Sequence, residues 1–261
     1  MHRLLLLAFV ILAACGNAGR ESVPVDSGEI TVISSNFEDS DPTDWPGRSP
    51  DRYAVHGIDL SRFQIAVDWG QARANGVNFA FIKATEGGDR VDPMFEDHWR
   101  GAGQAGVMRG AYHFFYHCRP AAEQARWFIK QVPRTPGALP PVLDMEWTPT
   151  SPTCTLRRDG ATIREEARIF IDILERHYGQ RPMIYTTVDF FQDTELWRLQ
   201  GVEFWLRSVA DHPHGVYDGK SWSFWQYTST GLVPGIAGRV DINVFAGSRQ
   251  AWADWLAARA M

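Results

Sequence analysis

From His56 to Phe245 the chain alternates short apolar runs with segments whose apolar residues recur at helical spacing, and this alternation constrains its fold more than any other feature. The runs cover residues 56–60, 79–85, 109–115, 141–147, 182–185, 204–207, 223–227 and 240–245, and each reads as a strand. Helices are expected over 94–105, 121–131 and 162–178. In the last of these Ile163, Ala167, Phe170, Ile171 and Leu174 form one apolar face. Repeated strand–helix units of this kind predict an α/β fold. The shorter helices and the Gly- and Pro-containing stretches at 211–219 and 232–238 suit a single irregular, flattened barrel of the TIM-like type better than an open sheet. In such a barrel chemistry sits at the C-terminal ends of the strands, where the connecting loops converge.

The chain before the barrel has a different character. His2 and Arg3 lead into the apolar run 4–12, followed by Ala13, Ala14 and Cys15. A bilayer span needs about 20 apolar residues, so residues 1–14 read as an export signal. The ending Leu12-Ala13-Ala14-Cys15-Gly16 resembles a bacterial lipoprotein signal, which implies that Cys15 is lipidated and becomes the mature N-terminus. An ordinary cleaved signal with an incidental cysteine is the alternative. Gly16 rather than Asp after Cys15 favours, in a Gram-negative cell, the periplasmic face of the outer membrane. Residues 15–52, rich in Ser, Asp, Pro and Gly, are expected to be a flexible tether, and residues 53–261 the folded domain.

Three cysteines leave an odd one in an exported protein unless one is otherwise engaged. With Cys15 set aside, Cys118 and Cys154 follow consecutive strands, so their loops can meet and bridge in an oxidising compartment; two free thiols are the other reading. A net charge of −5 argues against nucleic acid as a partner. The 11 tryptophans permit an aromatic-lined groove, although Trp is first a packing residue. No Cys or His cluster has metal-ligand spacing, and neither a metal nor an organic cofactor is expected.

The sharpest chemical signal is Asp144 and Glu146 inside the apolar stretch 139–147. Residues two apart on a strand share a face, about 6 to 7 Å apart. Two carboxyls so placed in a partly dry site cannot both ionise freely, so one stays protonated. A protonated acid beside a carboxylate is what glycosidic cleavage requires. The plainer reading is a pair facing solvent at a strand end. Asp59 and Asp241 repeat the pattern of one acid among apolar strand residues, and four such acids in a closed barrel can share one site; helix caps and turns are the competing use of Asp. Tyr112, Tyr185, Trp225 and Gln226 are candidates for binding a sugar, and His113 for hydrogen bonding to it, although aromatic residues on strands are more often core.

Taken in order, several motifs resemble the lysozymes of glycoside hydrolase family 25, the N-acetylmuramidases that cut peptidoglycan. They are Gly57-Ile58-Asp59-Leu60-Ser61, Val67-Asp68-Trp69, Phe81-Ile82-Lys83-Ala84-Thr85-Glu86-Gly87, Asp92-Pro93-Met94-Phe95, Gly110-Ala111-Tyr112-His113-Phe114, Glu123-Gln124-Ala125, Leu143-Asp144-Met145-Glu146, Ile184-Tyr185-Thr186, Trp225-Gln226-Tyr227 and Val240-Asp241-Ile242-Asn243-Val244-Phe245. The resemblance implies hydrolysis of the β-1,4 bond between N-acetylmuramic acid and N-acetylglucosamine by a monomer bound to glycan strands. By motif position Glu146 is the proton donor. Asp144 is the second carboxylate, steering the substrate's own acetamido group, while Asp59 and Asp241 match the other active-site acids. Tyr112, Tyr185 and Trp225 would line the groove. The chain departs from the family pattern at Ile65 and Arg207, which bears on groove width and substrate preference. Two other functions stay open on sequence alone: a non-catalytic glycan-binding lipoprotein on the same fold, and a barrel hydrolase holding a divalent metal on the four acids.

Overall fold

The structure, a computed structural model, describes residues 30–259 of the 261. The expected signal at 1–14, Cys15 and the tether up to residue 29 lie outside the described residues. The strands are β1 (Glu38–Asp39), β2 (His56–Leu60), β3 (Phe79–Glu86), β4 (Arg90–Val91), β5 (Met108–Phe114), β6 (Val142–Met145), β7 (Met183–Thr186), β8 (Phe204–Arg207), β9 (Phe224–Leu232) and β10 (Val240–Phe245). The helices are α1 (Trp69–Ala74), α2 (Phe95–Gln104), α3 (Ala121–Gln131), α4 (Gly160–Tyr178), α5 (Val188–Asp193), α6 (Pro213–Val216) and α7 (Arg249–Ala257). The eight strands expected from sequence form a barrel in the order β9-β10-β2-β3-β5-β6-β7-β8, closed by pairing of β8 with β9. All neighbours are parallel except β10, which runs antiparallel to both β9 and β2.

Alternation along the strands sorts the side chains into two layers. On β3, Phe79 and Phe81 point into the barrel, while Ala80, Ile82 and Ala84 face the helices. The interior is aromatic. Phe81 stacks on Trp205 with ring centroids 4.5 Å apart, and Phe79 meets Phe224 at 5.0 Å. Trp252 of α7 packs on Phe79 and Phe245 and closes the end of the barrel formed by the first residues of the parallel strands. Outside, Phe128 of α3 and Phe170, Ile171 and Leu174 of α4 are fully buried. Local chemistry sets the limits of α4: Asp159 accepts from the Thr162 amide at 3.0 Å to start it, and Gly179, at φ 72°, ends it in a conformation only glycine adopts freely.

The tether expectation is corrected over residues 31–52, which pack on the barrel as a strap. β1 pairs with the end of β9, and Asn78 accepts from the Ile33 amide and donates to the Ile33 carbonyl, both at 2.8 Å. Thr43 donates to the Val209 carbonyl at 2.7 Å, and Trp45 meets Trp225 edge to face at 5.1 Å. The reason lies in the topology. β9 and β10 join without an intervening helix, so the outward faces of Trp225, Tyr227 and His56 need another cover. Two widely spaced rings, Phe37 against His56 and Trp45 against Trp225, supply it, and such sparse anchors escape a reading based on composition.

Candidate active site

A cleft of about 400 Å³ opens at the C-terminal ends of the parallel strands. Asp144 on β6 and Glu146 just beyond it both line it, as two residues on one strand face must. Asp59 comes from β2. Asp241 is the second residue of β10, and only because β10 runs backwards does its beginning reach this rim, directly opposite Asp59 in the ladder. The structure therefore gathers all four acids.

Their environment favours protonation. Burial pushes Glu146 up to about 7, with the Arg207 guanidinium pulling the other way. Asp144 is held well above the usual carboxylate range by burial and then by the charge of Glu146, and its Oδ1 is buried without a hydrogen-bond partner. Asp59 and Asp241 share a hydrogen bond. Burial raises Asp59 to about 6 and Asp241 to about 8, the latter raised further by its neighbour's charge. The pair titrates as a unit and holds one proton near neutrality.

A chain of hydrogen bonds orients this group. Trp205 Nε1 donates to Asn243 Oδ1 at 2.7 Å, and Asn243 Nδ2 donates to Asp59 Oδ2 at 2.8 Å. The same oxygen accepts from Gln226 Nε2 at 2.8 Å, and Tyr185 donates to Gln226 Oε1 at 2.9 Å. Tyr112 completes the wall. Burial and the nearby carboxylates raise both phenols, which stay protonated as donors. Lys83 lines the cleft but is paired with Glu86 at 2.7 Å, over the ring of Phe114. Phe63, largely exposed, stands at the mouth, and Ile65 is also exposed but is not part of the lining.

Two expected site residues lie elsewhere. His113 is fully buried behind β5, between Thr85 and Gln124 and stacked on Phe170 of α4; burial lowers its pKa to about 4, so it is a neutral outer-layer residue. Trp225 is fully buried on the outer face of β9, under Trp45, with its indole N–H on the Ser208 carbonyl at 2.7 Å. The physical reason is the strand period. If Tyr112 and Gln226 face inward, their neighbours His113 and Trp225 face outward. The same rule would have found Trp205 and Arg207, two residues apart on β8 and both in the cleft. The structure joins Cys118 to Cys154 as a disulfide with Cα atoms 5.7 Å apart, at the rim beside Glu146, whose main-chain carbonyl accepts from His117. Among the described residues no three His, Cys, Asp or Glu side chains are arranged to hold a metal ion.

Residues 58–236 match the glycosyl hydrolases of family 25. The protein YegX of Escherichia coli is 36% identical over 207 residues, 77% of this chain and 73% of that protein. Lysozyme M1 of Streptomyces globisporus is 34% identical over 213 residues, 76% of this chain and 70% of that protein. A solved family 25 glycosyl hydrolase from Bacillus anthracis superposes with a TM-score of 0.73 at 33% identity, covering 79% of this chain and 95% of that one. With its barrel, its four gathered acids and this similarity, the chain belongs to glycosyl hydrolase family 25 and is a glycoside hydrolase.

Proposed function

We propose that the protein is an N-acetylmuramidase that cuts the β-1,4 bond between N-acetylmuramic acid and N-acetylglucosamine in peptidoglycan. The observation that carries this reading is the pair Asp144 and Glu146 in one cleft, with Glu146 raised to about 7 and Asp144 carrying an unpartnered buried oxygen. Glu146 is protonated through mildly acidic pH and gives its proton to the leaving oxygen. Asp144 Oδ1 accepts the N–H of the substrate's acetamido group and turns its carbonyl oxygen toward the anomeric carbon, a substrate-assisted displacement. Asp144, acting as the carboxylate, pairs with the positive charge that grows on that group; water then gives its proton to the Glu146 carboxylate, attacks the anomeric carbon and expels the acetamido oxygen, which completes hydrolysis. Asp59 and Asp241 hold the far side of the ring, oriented by Asn243 and Gln226. The named lysozymes and muramidases among its relatives support peptidoglycan as substrate.

The test is mass spectrometry of purified peptidoglycan incubated with the protein and with Glu146→Gln. Fragments ending in reducing N-acetylmuramic acid with the first protein only are expected. Equal fragments from both sink the donor assignment, and retention on intact glycan without cutting points to a binding module.

We further propose that the protein acts as a monomer in the cell envelope, anchored to the membrane through lipid on Cys15. The support is the sequence around Cys15. Cys15→Ser is expected to move the protein from the membrane to the soluble fraction; continued sedimentation with membranes rejects the anchor.

A further inference from the structure

Arg207 is a cation of the cleft that, among the described residues, has no ion-pair partner. It lies at the end of β8, between Glu146 on one side of the rim and the Asp59–Asp241 pair on the other, and lines the cleft with them. Among the described residues no carboxylate approaches its guanidinium within ion-pair distance, and its side chain has no hydrogen-bond partner. Its main-chain carbonyl accepts from the Tyr217 hydroxyl at 2.7 Å. Lys83 differs, since Glu86 already pairs with it. A half-buried guanidinium carries five donors in a planar fork matched to a carboxylate, and holding it partly dehydrated without an anion is costly. Its charge reaches Glu146, Asp59 and Asp241 and favours their ionised forms, but none of them closes on it as an ion pair.

We infer that Arg207 is a specificity-determining residue that pairs with a carboxylate of the substrate. This rests on the muramidase reading above. Muramic acid carries its acetamido group and its lactyl ether on adjacent ring carbons. A ring whose acetamido group sits at Asp144 therefore brings the lactyl group into the same cleft. The lactyl carboxylate is free only where the strand has lost its stem peptide; where the stem remains, the lactyl group is an amide and the nearest carboxylates belong to the peptide. Arg207 thus makes the enzyme sensitive to whether the strand in its cleft has been stripped.

The experiment compares three glycans: stem-free strands, the same strands with the lactyl carboxylate converted to a methylamide, and strands bearing stem peptides. For each, kcat/KM is measured for the protein, Arg207→Gln and Arg207→Lys, and affinity is measured for Glu146→Gln with and without Arg207→Gln. Loss of a charge-assisted pair is expected to cost Arg207→Gln about tenfold or more on stem-free strands beyond its cost on the methylamide, chiefly through KM. Arg207→Lys keeps part of the difference. The same excess cost on peptide-bearing strands alone assigns the partner to a stem carboxylate. An equal cost on all three substrates, in rate and in affinity, overturns the pairing and leaves Arg207 as a general tuner of the acids. A protein that binds all three but cuts none removes the muramidase reading, while the affinities still decide the pairing.

Discussion

The imidazole of His117 donates from Nε2 to the main-chain carbonyl of Glu146 at 3.0 Å, which ties the loop after β5 to the residue that follows β6. The ring is stacked on Phe190 at 5.3 Å, and the main-chain carbonyl of His117 accepts from Arg158 at 2.8 Å. The next residue, Cys118, is bonded to Cys154. Backbone, ring and disulfide together therefore set where Glu146 stands.

Opening that bridge should affect stability and turnover together. A disulfide spanning 36 residues constrains the unfolded chain by about 3 to 4 kcal/mol. The double variant Cys118→Ser, Cys154→Ser is expected to melt well below the parent protein and to lose kcat with little change in KM. Calorimetry and steady-state kinetics check both parts; an unchanged kcat shows that the bridge does not position Glu146.

The activity should have an alkaline limit near pH 7. The donor works only when protonated, so the rate falls as pH rises through the value near 7 to which burial lifts Glu146. In Glu146→Gln, kcat is expected to drop by about a thousandfold, and in Asp144→Asn by about a hundredfold, within the range that general acid catalysis and electrostatic stabilisation supply. A pH profile of kcat, repeated with a chelator, is the measurement. The chelator is expected to leave the profile unchanged.

Asp241 should weaken the fold in base. A carboxyl whose pKa the fold raises stabilises the folded state fully below its unfolded value, and this advantage is lost as pH climbs through the folded value. For Asp241 the window runs from 3.8 to about 8. Asp241→Asn is expected to melt about 2 to 4 °C above the parent at pH 9 and to show no such gain at pH 4, while losing activity. Thermal melts across pH decide it.

The strap should be part of the folding unit. Trp45→Ala removes the ring over Trp225 and is expected to cost about 1 to 3 kcal/mol, below the loss for a fully buried ring. A chain starting at residue 53 exposes the outer face of β9 and is expected to be less stable than one starting at residue 30. Urea unfolding of the three proteins reads both effects.

The strand pattern was legible because each run keeps its apolar residues through a full strand, and the paired acids stood out against it. Period-two alternation was equally available, but aromatic residues are attractive on either face of a strand, so Trp225 and His113 looked like site residues until their neighbours claimed the inner side. The reversal of β10 left no local mark, since a strand reads the same in both directions. The strap was hidden by its composition, with Val32, Phe37 and Trp45 too far apart to register as a packed segment.

The site is closed by the first and last strands of the barrel. Asn243, which donates to Asp59, lies 184 residues further along the chain. A nascent or truncated chain ending before β10 can form most of its strand–helix units yet has neither Asp241 nor the hydrogen bond that orients Asp59. Hydrolytic competence therefore waits until β10 has joined the barrel, so a chain that stops short of it is inactive however much of the barrel it has built.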